Sequence, residues 1–85
     1  MSNLYCRVCG YKNPEPPWGE DDESPDRGIC PCCGVETGYE DVILSTIRLY
    51  REKWLAEGAK WLNRKEKPSD WDLAEQMKDI PPQFL

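Results

Sequence analysis

The sequence predicts a small metal-stapled α+β domain, in which two cysteine knuckles with short strands are followed by two helices. Three observations lead to this prediction. The chain has only 85 residues, and a domain of that size buries too little apolar surface to be comfortably stable without a staple. Two Cys-x-x-Cys-Gly units occupy residues 6–10 and 30–34. Beyond residue 41, apolar side chains recur at the three- and four-residue spacing of a helix.

The two halves of the chain differ in composition, although we expect them to form one domain. Residues 1–41 contain all five cysteines and five of the eight prolines, a composition typical of a loop-rich segment. Residues 42–85 contain no cysteine and form the predicted helical extension, which packs on the first half. Its tryptophans are large enough to supply the core between the two halves. These tryptophans are Trp54, Trp61 and Trp71.

Short strands and a stiff loop are predicted in the first half. Leu4-Tyr5 and Gly28-Ile29 lead directly into the two knuckles and are predicted as strand ends. Residues 13–19 include three prolines, which exclude a helix and favour extended backbone. Trp18 lies in this loop, and we expect it to fold back onto the core because an exposed indole would leave a large apolar area in water.

The first helix is predicted to begin at Asp41, whose carboxylate suits the N-cap position. Its apolar face follows from helical spacing. The residues of that face are Ile43, Leu44, Ile47, Tyr50, Trp54, Leu55 and Ala59. Gly58 either ends this helix or bends it, and in the second case the helix continues to Asn63.

A second, shorter helix is predicted to begin at Ser69. The hydroxyl of Ser69 can cap the helix, and Asp72 lies three residues further on, where the acid of a capping box belongs. Two prolines within residues 79–82 end the helix. Its apolar positions are Trp71, Ala74 and Met77.

The cysteines are the strongest chemical signal in the chain. In each Cys-x-x-Cys-Gly unit, the two intervening residues allow both sulfurs to converge on one point, and the glycine permits the positive φ that closes the turn. Two such units facing each other would form a tetrahedral cage for one Zn²⁺. The predicted metal ligands are Cys6, Cys9, Cys30 and Cys33.

Two other arrangements of the thiols stay open. Disulfides would pair four cysteines, but residues 1–7 lack the apolar stretch of a secretory signal, and the reducing cytoplasm in which we expect the protein disfavours them. A thiol-redox centre could use Cys30-Pro31-Cys32-Cys33 alone, although no thioredoxin-like βαβ pattern surrounds it. Cys32 lies between two predicted ligands and is either a small buried side chain or a reactive thiol.

The first half resembles the rubredoxins and the wider group of rubredoxin-like zinc ribbons. The resemblance rests on Tyr5-Cys6-x-x-Cys9-Gly10-Tyr11, a proline- and acid-rich loop, and Ile29-Cys30-Pro31-x-Cys33-Gly34. It implies that the four cysteines of these motifs bind one metal, and that Tyr11 and Trp18 form a small aromatic core. It also implies iron as an alternative to zinc, with a function in electron transfer. The chain differs from rubredoxins in its shorter loop between the knuckles and in its helical extension.

The whole chain resembles a group of uncharacterised small cysteine-rich bacterial proteins of CPCC type. The shared elements are Cys30-Pro31-Cys32-Cys33, Gly38-Tyr39-Glu40-Asp41, Tyr50-Arg51-x-x-Trp54 and Gly58-Ala59-x-Trp61. Some members of such groups accompany secreted toxins, so the resemblance implies a role as an immunity protein that binds a toxin.

Composition argues against several classes of function. The chain has no histidine, which excludes serine–histidine and cysteine–histidine catalysis, and a closed four-thiolate zinc has no open position for water. We therefore expect no enzymatic activity. The net charge of −5 opposes direct binding of nucleic acid. No stretch approaches the ~20 apolar residues of a membrane span, so we expect no membrane insertion.

The function that the sequence favours is that of a protein-binding module. Residues 1–41 carry nine acidic and three basic side chains, and the charge peaks in one run of acids. This run is Glu20, Asp21, Asp22 and Glu23. We predict that it binds a basic protein such as a nuclease toxin, unless it is simply a solvated loop. The alternative function is a rubredoxin-like iron electron carrier, and the sequence leaves open whether the protein is a monomer.

Overall fold

The computed structural model describes residues 3–85, which form two helices joined by loops that surround the buried cysteines. Helix α1 spans Leu44–Ala56 and helix α2 spans Leu73–Met77. Single 3₁₀ turns occupy Arg64–Glu66 and Pro82–Phe84, and the second of these packs against α1. Neither helix is long and apolar enough to cross a membrane in this part of the chain.

The predicted α+β class is wrong, because the described residues form no β-sheet. Their strand content is limited to two isolated antiparallel bridges, Tyr5 with Lys12 and Ile29 with Glu36. Each bridge closes one knuckle and is not extended into a ladder. Proline has no N–H to donate to a neighbouring strand, and the loop between the knuckles contains four prolines at residues 14–25. A rubredoxin-like ribbon with short strands is therefore not the fold of this chain.

Helix α1 begins at Leu44, and its N-cap is Ile43, two residues after the predicted cap Asp41. Asp41 is not its N-cap, because the Asp41 carboxylate instead accepts hydrogen bonds from Trp18 Nε1 at 2.9 Å and from the Gly38 amide at 2.7 Å. The helix ends at Ala56, and Gly58 follows with a φ of +99°. The prediction that Gly58 ends the helix is confirmed, and the alternative continuation to Asn63 is wrong.

One face of α1 points into the core, as predicted, but three of its positions differ from the prediction, the first being Leu44, which is 37% exposed. Ile47 and Trp54 are buried. Ile43 is 61% exposed, because it precedes the first turn and does not share the helical phase. Arg51, which a hydrophobicity pattern does not select, is buried on the same face.

Helix α2 begins after Asp72 and not at Ser69. Asp72 is itself the N-cap, and its carboxylate accepts a hydrogen bond from the Glu75 amide at 3.3 Å. The chain before it forms a turn in which the Trp71 amide donates to the Pro68 carbonyl. The start predicted at Ser69 is therefore wrong, because that residue lies within the turn.

A single buried cluster contains the cysteines together with side chains from both halves of the chain. Trp54 and Trp61 belong to it, and Trp71 packs against it, so the prediction that the tryptophans form the core is confirmed. The Trp61 ring meets Tyr11 and Trp71 edge-on at 5.7 Å. Trp18 is also buried, as predicted. The division of the chain at residue 41 stays a prediction.

Trp18 and Tyr11 do not share the arrangement that the rubredoxin resemblance implied. Tyr11 takes Trp61 as its aromatic partner. The indole of Trp18 lies under the guanidinium of Arg7, whose central carbon is 3.9 Å from the ring centroid. The second half of the chain therefore supplies, through Trp61, the aromatic partner of Tyr11, which follows the first knuckle.

Candidate metal centre

The sulfurs of four cysteines meet at one buried point. Ligand atoms of Cys6, Cys9, Cys30 and Cys33 all lie within 4.8 Å of one another. Between the two knuckles, the Sγ atoms of Cys6 and Cys33 are 3.8 Å apart and those of Cys9 and Cys30 are 3.7 Å apart. A disulfide would need about 2.05 Å, and all five cysteines are free thiols. The structure thus does not contain the disulfides that the sequence left open.

The two separations between the knuckles match those of a tetrahedral metal site. With metal–sulfur bonds of about 2.3 Å, the sulfurs of a tetrahedral Zn(Cys)₄ centre lie about 3.8 Å apart. The four cysteines are therefore positioned to hold a metal ion. Zinc and iron both accept four thiolates, so the geometry does not distinguish the two metals.

The closeness of the sulfurs also affects their protonation. Hydrogen bonding with the Cys30 thiol raises the pKa of both Cys9 and Cys33 well above the usual range of a thiol, and burial adds to the effect. Four neighbouring thiolates repel one another unless a cation compensates their charge. Binding of a divalent ion would therefore displace protons from the cluster.

The two Cys-x-x-Cys-Gly units fold as structural repeats of each other. The Cys6 amide donates to the Tyr11 carbonyl at 2.8 Å and the Cys30 amide to the Val35 carbonyl at 2.9 Å. Gly10 and Gly34 close the two turns with φ values of +82° and +83°. The internal repeat of the sequence is therefore a repeat of backbone conformation, which directs each pair of sulfurs to the same side of its turn.

Gly10 is also constrained by its surroundings. A Cβ atom at this position would overlap the backbone carbonyl oxygen of Gln76. The first knuckle can therefore approach helix α2 closely only because residue 10 has no side chain. At Gly34 the nearest atom to a Cβ would be the hydroxyl of Tyr50, at an ordinary distance of 3.4 Å.

The carbonyl groups of the first knuckle are held by side chains from the second half of the chain. Arg51 donates from Nε to the Val8 carbonyl at 2.7 Å and from Nη2 to the Arg7 carbonyl at 2.8 Å. Gln76 Nε2 donates to the Cys9 carbonyl at 3.1 Å. Three successive carbonyl groups of the knuckle are thus hydrogen-bonded.

The three equivalent carbonyl groups of the second knuckle are held as well, mostly by backbone amides. The Asn63 amide donates to the Pro31 carbonyl at 2.9 Å and the Leu62 amide to the Cys32 carbonyl at 3.0 Å. The Tyr50 hydroxyl donates to the Cys33 carbonyl at 3.1 Å. Burial raises the pKa of Tyr50 to about 12, so this hydroxyl keeps its proton at neutral pH.

Arg51 carries a positive charge into the protein interior next to the sulfur cluster. Its side chain is buried, and among the described residues it makes hydrogen bonds only to carbonyl oxygens, including that of Phe84 at 2.7 Å. Burial lowers the pKa of Arg51, whereas the nearby sulfurs of Cys6 and Cys9 raise it. Four thiolates and one divalent cation carry a formal charge of −2, so Arg51 supplies a nearby counter-charge.

Neither Arg51 nor Gln76 was predicted from the sequence to have a role at the site. The available signal for Arg51 was its position four residues after Ile47 and three before Trp54, on the buried face of α1. No comparable signal identified Gln76, because α2 has only five residues and its partners lie far away in the sequence.

Cys32 is not one of the four clustered cysteines, although its side chain interacts with that of Cys9. Its position in the second knuckle is equivalent to that of Val8 in the first, and both side chains are fully buried. Cys32 Sγ accepts a hydrogen bond from Gln76 Nε2 at 3.3 Å. Its complete burial agrees with the interpretation of Cys32 as a packed side chain. Hydrogen bonding with Cys9 and with Gln76 lowers the pKa of Cys32, so the alternative of a reactive thiol stays a prediction.

The acidic run Glu20–Glu23 is exposed in the loop between the knuckles. Within it, the Asp21 carboxylate accepts hydrogen bonds from the Glu23 amide at 3.0 Å and from the Ser24 hydroxyl at 3.1 Å, so one of its four acids closes the turn. These hydrogen bonds lower the pKa of Asp21. Binding of a partner by this run stays a prediction.

Comparison with known proteins relates the chain to two proteins of Bacillus subtilis strain 168. The uncharacterised protein YozI is 35% identical over 89 aligned positions, which cover 82% of this chain and 72% of YozI. The chain belongs to the YozI family. The uncharacterised protein YoaQ is 32% identical over 68 positions, which cover 62% of this chain and 58% of YoaQ. The resemblance to uncharacterised bacterial proteins is thus confirmed.

No protein-family profile matches this YozI-family chain, and no solved structure matches it. The rubredoxin resemblance is therefore not supported by a family match. What this member of the YozI family shows is a cluster of four cysteines with the separations of a metal site.

Proposed function

We propose that this protein is a non-enzymatic zinc-binding module, in which one Zn²⁺ held by Cys6, Cys9, Cys30 and Cys33 maintains a surface for a protein partner. The observation that carries the proposal is the spacing of the four buried sulfurs, 3.7 and 3.8 Å across the knuckles. Four thiolates complete the preferred coordination of zinc.

The surroundings of the cluster support a structural ion. All four sulfur-bearing residues are at most 7% exposed, so substrate has no direct access to the metal. Six knuckle carbonyl groups are fixed by hydrogen bonds from other elements. A metal that reacts with substrate needs an open coordination position, which four protein thiolates do not leave.

Zinc would contribute a large share of the folding free energy. The binding free energy of structural zinc in small peptides is about 10–16 kcal/mol at pH 7. The unfolding free energy of whole domains is only about 5–15 kcal/mol. Among the described residues the two knuckles share no sheet, so the ion is their direct link. Five free thiols persist in a reducing compartment, and the proposal accordingly places the protein in the cytoplasm.

The protein partner is proposed to be basic. The net charge of −5 becomes about −7 when four thiolates bind one Zn²⁺. Such a charge attracts cationic proteins and repels nucleic acid. Inhibition of a basic toxin by an immunity protein is one form that this binding could take.

Metal analysis of the purified protein tests the zinc assignment. We expect a colourless preparation with one equivalent of zinc, which unfolds when a strong chelator removes the ion and refolds when zinc is restored, as followed by circular dichroism. One equivalent of ferric iron, with a red colour that bleaches on addition of dithionite, would support the electron-carrier alternative instead. A fully folded protein without metal would refute both.

A further inference from the structure

An open groove of about 610 Å³ lies between the loop that follows the first knuckle and the segment that follows α1. Its walls come from three parts of the chain, residues 11–15, 26–31 and 62–66. It lies beside the second knuckle, because Ile29 and Pro31 belong to its lining. The groove is distinct from the acidic run at residues 20–23, which does not contribute to it.

Part of the groove's lining is apolar and accessible. Ile29 is 57% exposed and Leu62 is 63% exposed, and both line the groove together with Pro14 and Pro31. Exposed apolar side chains that are gathered in one concave surface, and not scattered singly, are typical of a binding site for another molecule.

The charged side chains in the lining of the groove are all acidic. Glu15, Asp26 and Glu66 all belong to its lining, and no lysine or arginine of the described residues does. The adjoining groove of about 660 Å³ beside Trp54 has an excess of positive charge, since it is lined by Lys60, Arg64 and a single acid, Glu57. Negative charge is therefore concentrated on one of two neighbouring concave surfaces.

We propose that this groove binds an extended segment of a basic protein, which inserts an apolar side chain between Ile29 and Leu62 and directs lysine or arginine side chains to Glu15, Asp26 and Glu66. Charge complementarity selects this occupant. The inference rests on the proposed function as a protein-binding module and assigns the surface that performs it. The acidic run at residues 20–23, in contrast, contains no apolar side chain that could bind an apolar group of the partner.

The groove is also tied to the metal centre. The amides of Leu62 and Asn63 donate to the carbonyl groups of Cys32 and Pro31, so one wall of the groove is attached to the second knuckle. Loss of the metal would release that knuckle and thereby separate the walls. Binding of the partner should therefore require zinc.

The test uses the zinc-loaded full chain and a defined probe. The probe is a fluorescein-labelled nonapeptide of alternating lysine and leucine, and the control peptide has glutamate in place of lysine. We expect saturable binding of the lysine peptide alone, weakening as salt rises from about 50 to about 300 mM. In ¹⁵N spectra, the shifted amides should lie within residues 26–30 and 62–66.

Two variants and a matched control locate the binding surface. Leu62→Ser, at a position 63% exposed, should weaken peptide binding by about tenfold, because an apolar anchor is lost. The double variant Glu15→Gln/Glu66→Gln should weaken it by about fivefold and reduce its salt dependence. The control double variant Glu20→Gln/Glu23→Gln removes the same charge from the acidic run and should bind as the unmodified protein does.

Other outcomes overturn the inference. No binding of the lysine peptide, equal binding by the Leu62→Ser variant, or amide shifts centred on residues 20–23 would each show that the groove is not the docking surface. A dimer in analytical ultracentrifugation that the Leu62→Ser change dissociates would show that a second copy occupies it. In all these cases one equivalent of zinc would leave the metal-centred proposal intact, whereas absence of zinc would refute that proposal independently.

Discussion

The guanidinium of Arg51 and the carbonyl oxygen of Val8 are joined by a hydrogen bond of 2.7 Å across 43 positions of the sequence. The equivalent carbonyl of the second knuckle, that of Cys32, accepts from the Leu62 amide instead. Similar loops are thus supported by different means, a charged side chain in one case and a backbone amide in the other. At this central carbonyl, only the first knuckle depends on the identity of a distant side chain.

That dependence predicts a large effect of Arg51→Lys. Lysine keeps the charge but cannot donate to Val8, Arg7 and Phe84 with the planar fork of a guanidinium, so buried carbonyl groups lose their partners. We expect a loss of about 2–3 kcal/mol in the unfolding free energy of the zinc-loaded protein, measured by urea titration.

The matched control for this change is Arg48→Lys. Arg48 is an exposed residue of α1 that donates to the Leu85 carbonyl from the surface. Its substitution by lysine should lower the unfolding free energy by less than about 0.5 kcal/mol. Equal stability of the two variants would mean that Arg51 does not support the first knuckle.

The cysteines are predicted to fall into two groups on substitution. Cys9→Ser or Cys33→Ser should abolish binding of one equivalent of zinc and unfold the protein, because serine does not replace a thiolate ligand in a structural site. Cys32→Val should retain both the zinc and the fold, since valine already occupies the equivalent position 8. Elemental analysis and circular dichroism measure both effects. If all three variants lost zinc alike, the ligand assignment would be wrong.

Two glycines with positive φ separate backbone strain from steric overlap. Gly58→Ala places a Cβ in ordinary van der Waals contact with the Lys60 side chain, at 3.9 and 4.0 Å, and should cost about 1–2 kcal/mol for the unfavourable φ alone. Gly10→Ala adds an overlap with the Gln76 carbonyl and should cost about 3 kcal/mol or more. Thermal unfolding of the two variants provides the comparison, and similar losses would contradict the close approach of α2 to the first knuckle.

Gln76 is predicted to attach α2 to the metal centre. Gln76→Leu removes the donor to Cys9 and Cys32 and the acceptor of the Trp71 indole, whose Nε1 lies 2.7 Å from Oε1. We expect a loss of about 2 kcal/mol, because polar groups in a partly buried site become unpaired. The neighbouring change Glu75→Gln affects an exposed side chain whose one ion pair within residues 3–85, with Lys78, is on the surface, and it should be nearly neutral. Urea titration of both variants decides whether Gln76 has this role.

Local features of the chain were predictable because their causes are local. The convergence of two sulfurs in a Cys-x-x-Cys-Gly turn depends on five consecutive residues, and the sequence places two such turns in one short chain. The end of α1 follows from Gly58 in the same way. The burial of Trp54 and Trp61 could be anticipated because a small domain needs large apolar side chains in its core.

The helix starts and the absence of a sheet were mispredicted because interactions outside the local segment decided each of them. Asp41 and Ser69 both have the chemistry of a helix cap, but Asp41 has hydrogen-bond partners in a loop and Ser69 lies in a turn before the actual cap. The segments at Tyr5 and Ile29 have strand character but form one bridge each. In each case competing partners or neighbouring turns decided the local structure.

The amino-acid order by itself determined the donor atoms, the two turns that present them and the acidity of the chain, because these properties reside in short segments or in composition. The folded chain alone decided that Arg51 and Gln76 would support the first knuckle and that Leu62 and Asn63 would support the second. It also decided that Ile29 and Leu62 would meet in one groove with three acids. Contacts between residues thirty or more positions apart depend on how the whole chain packs, and no short stretch of sequence encodes them.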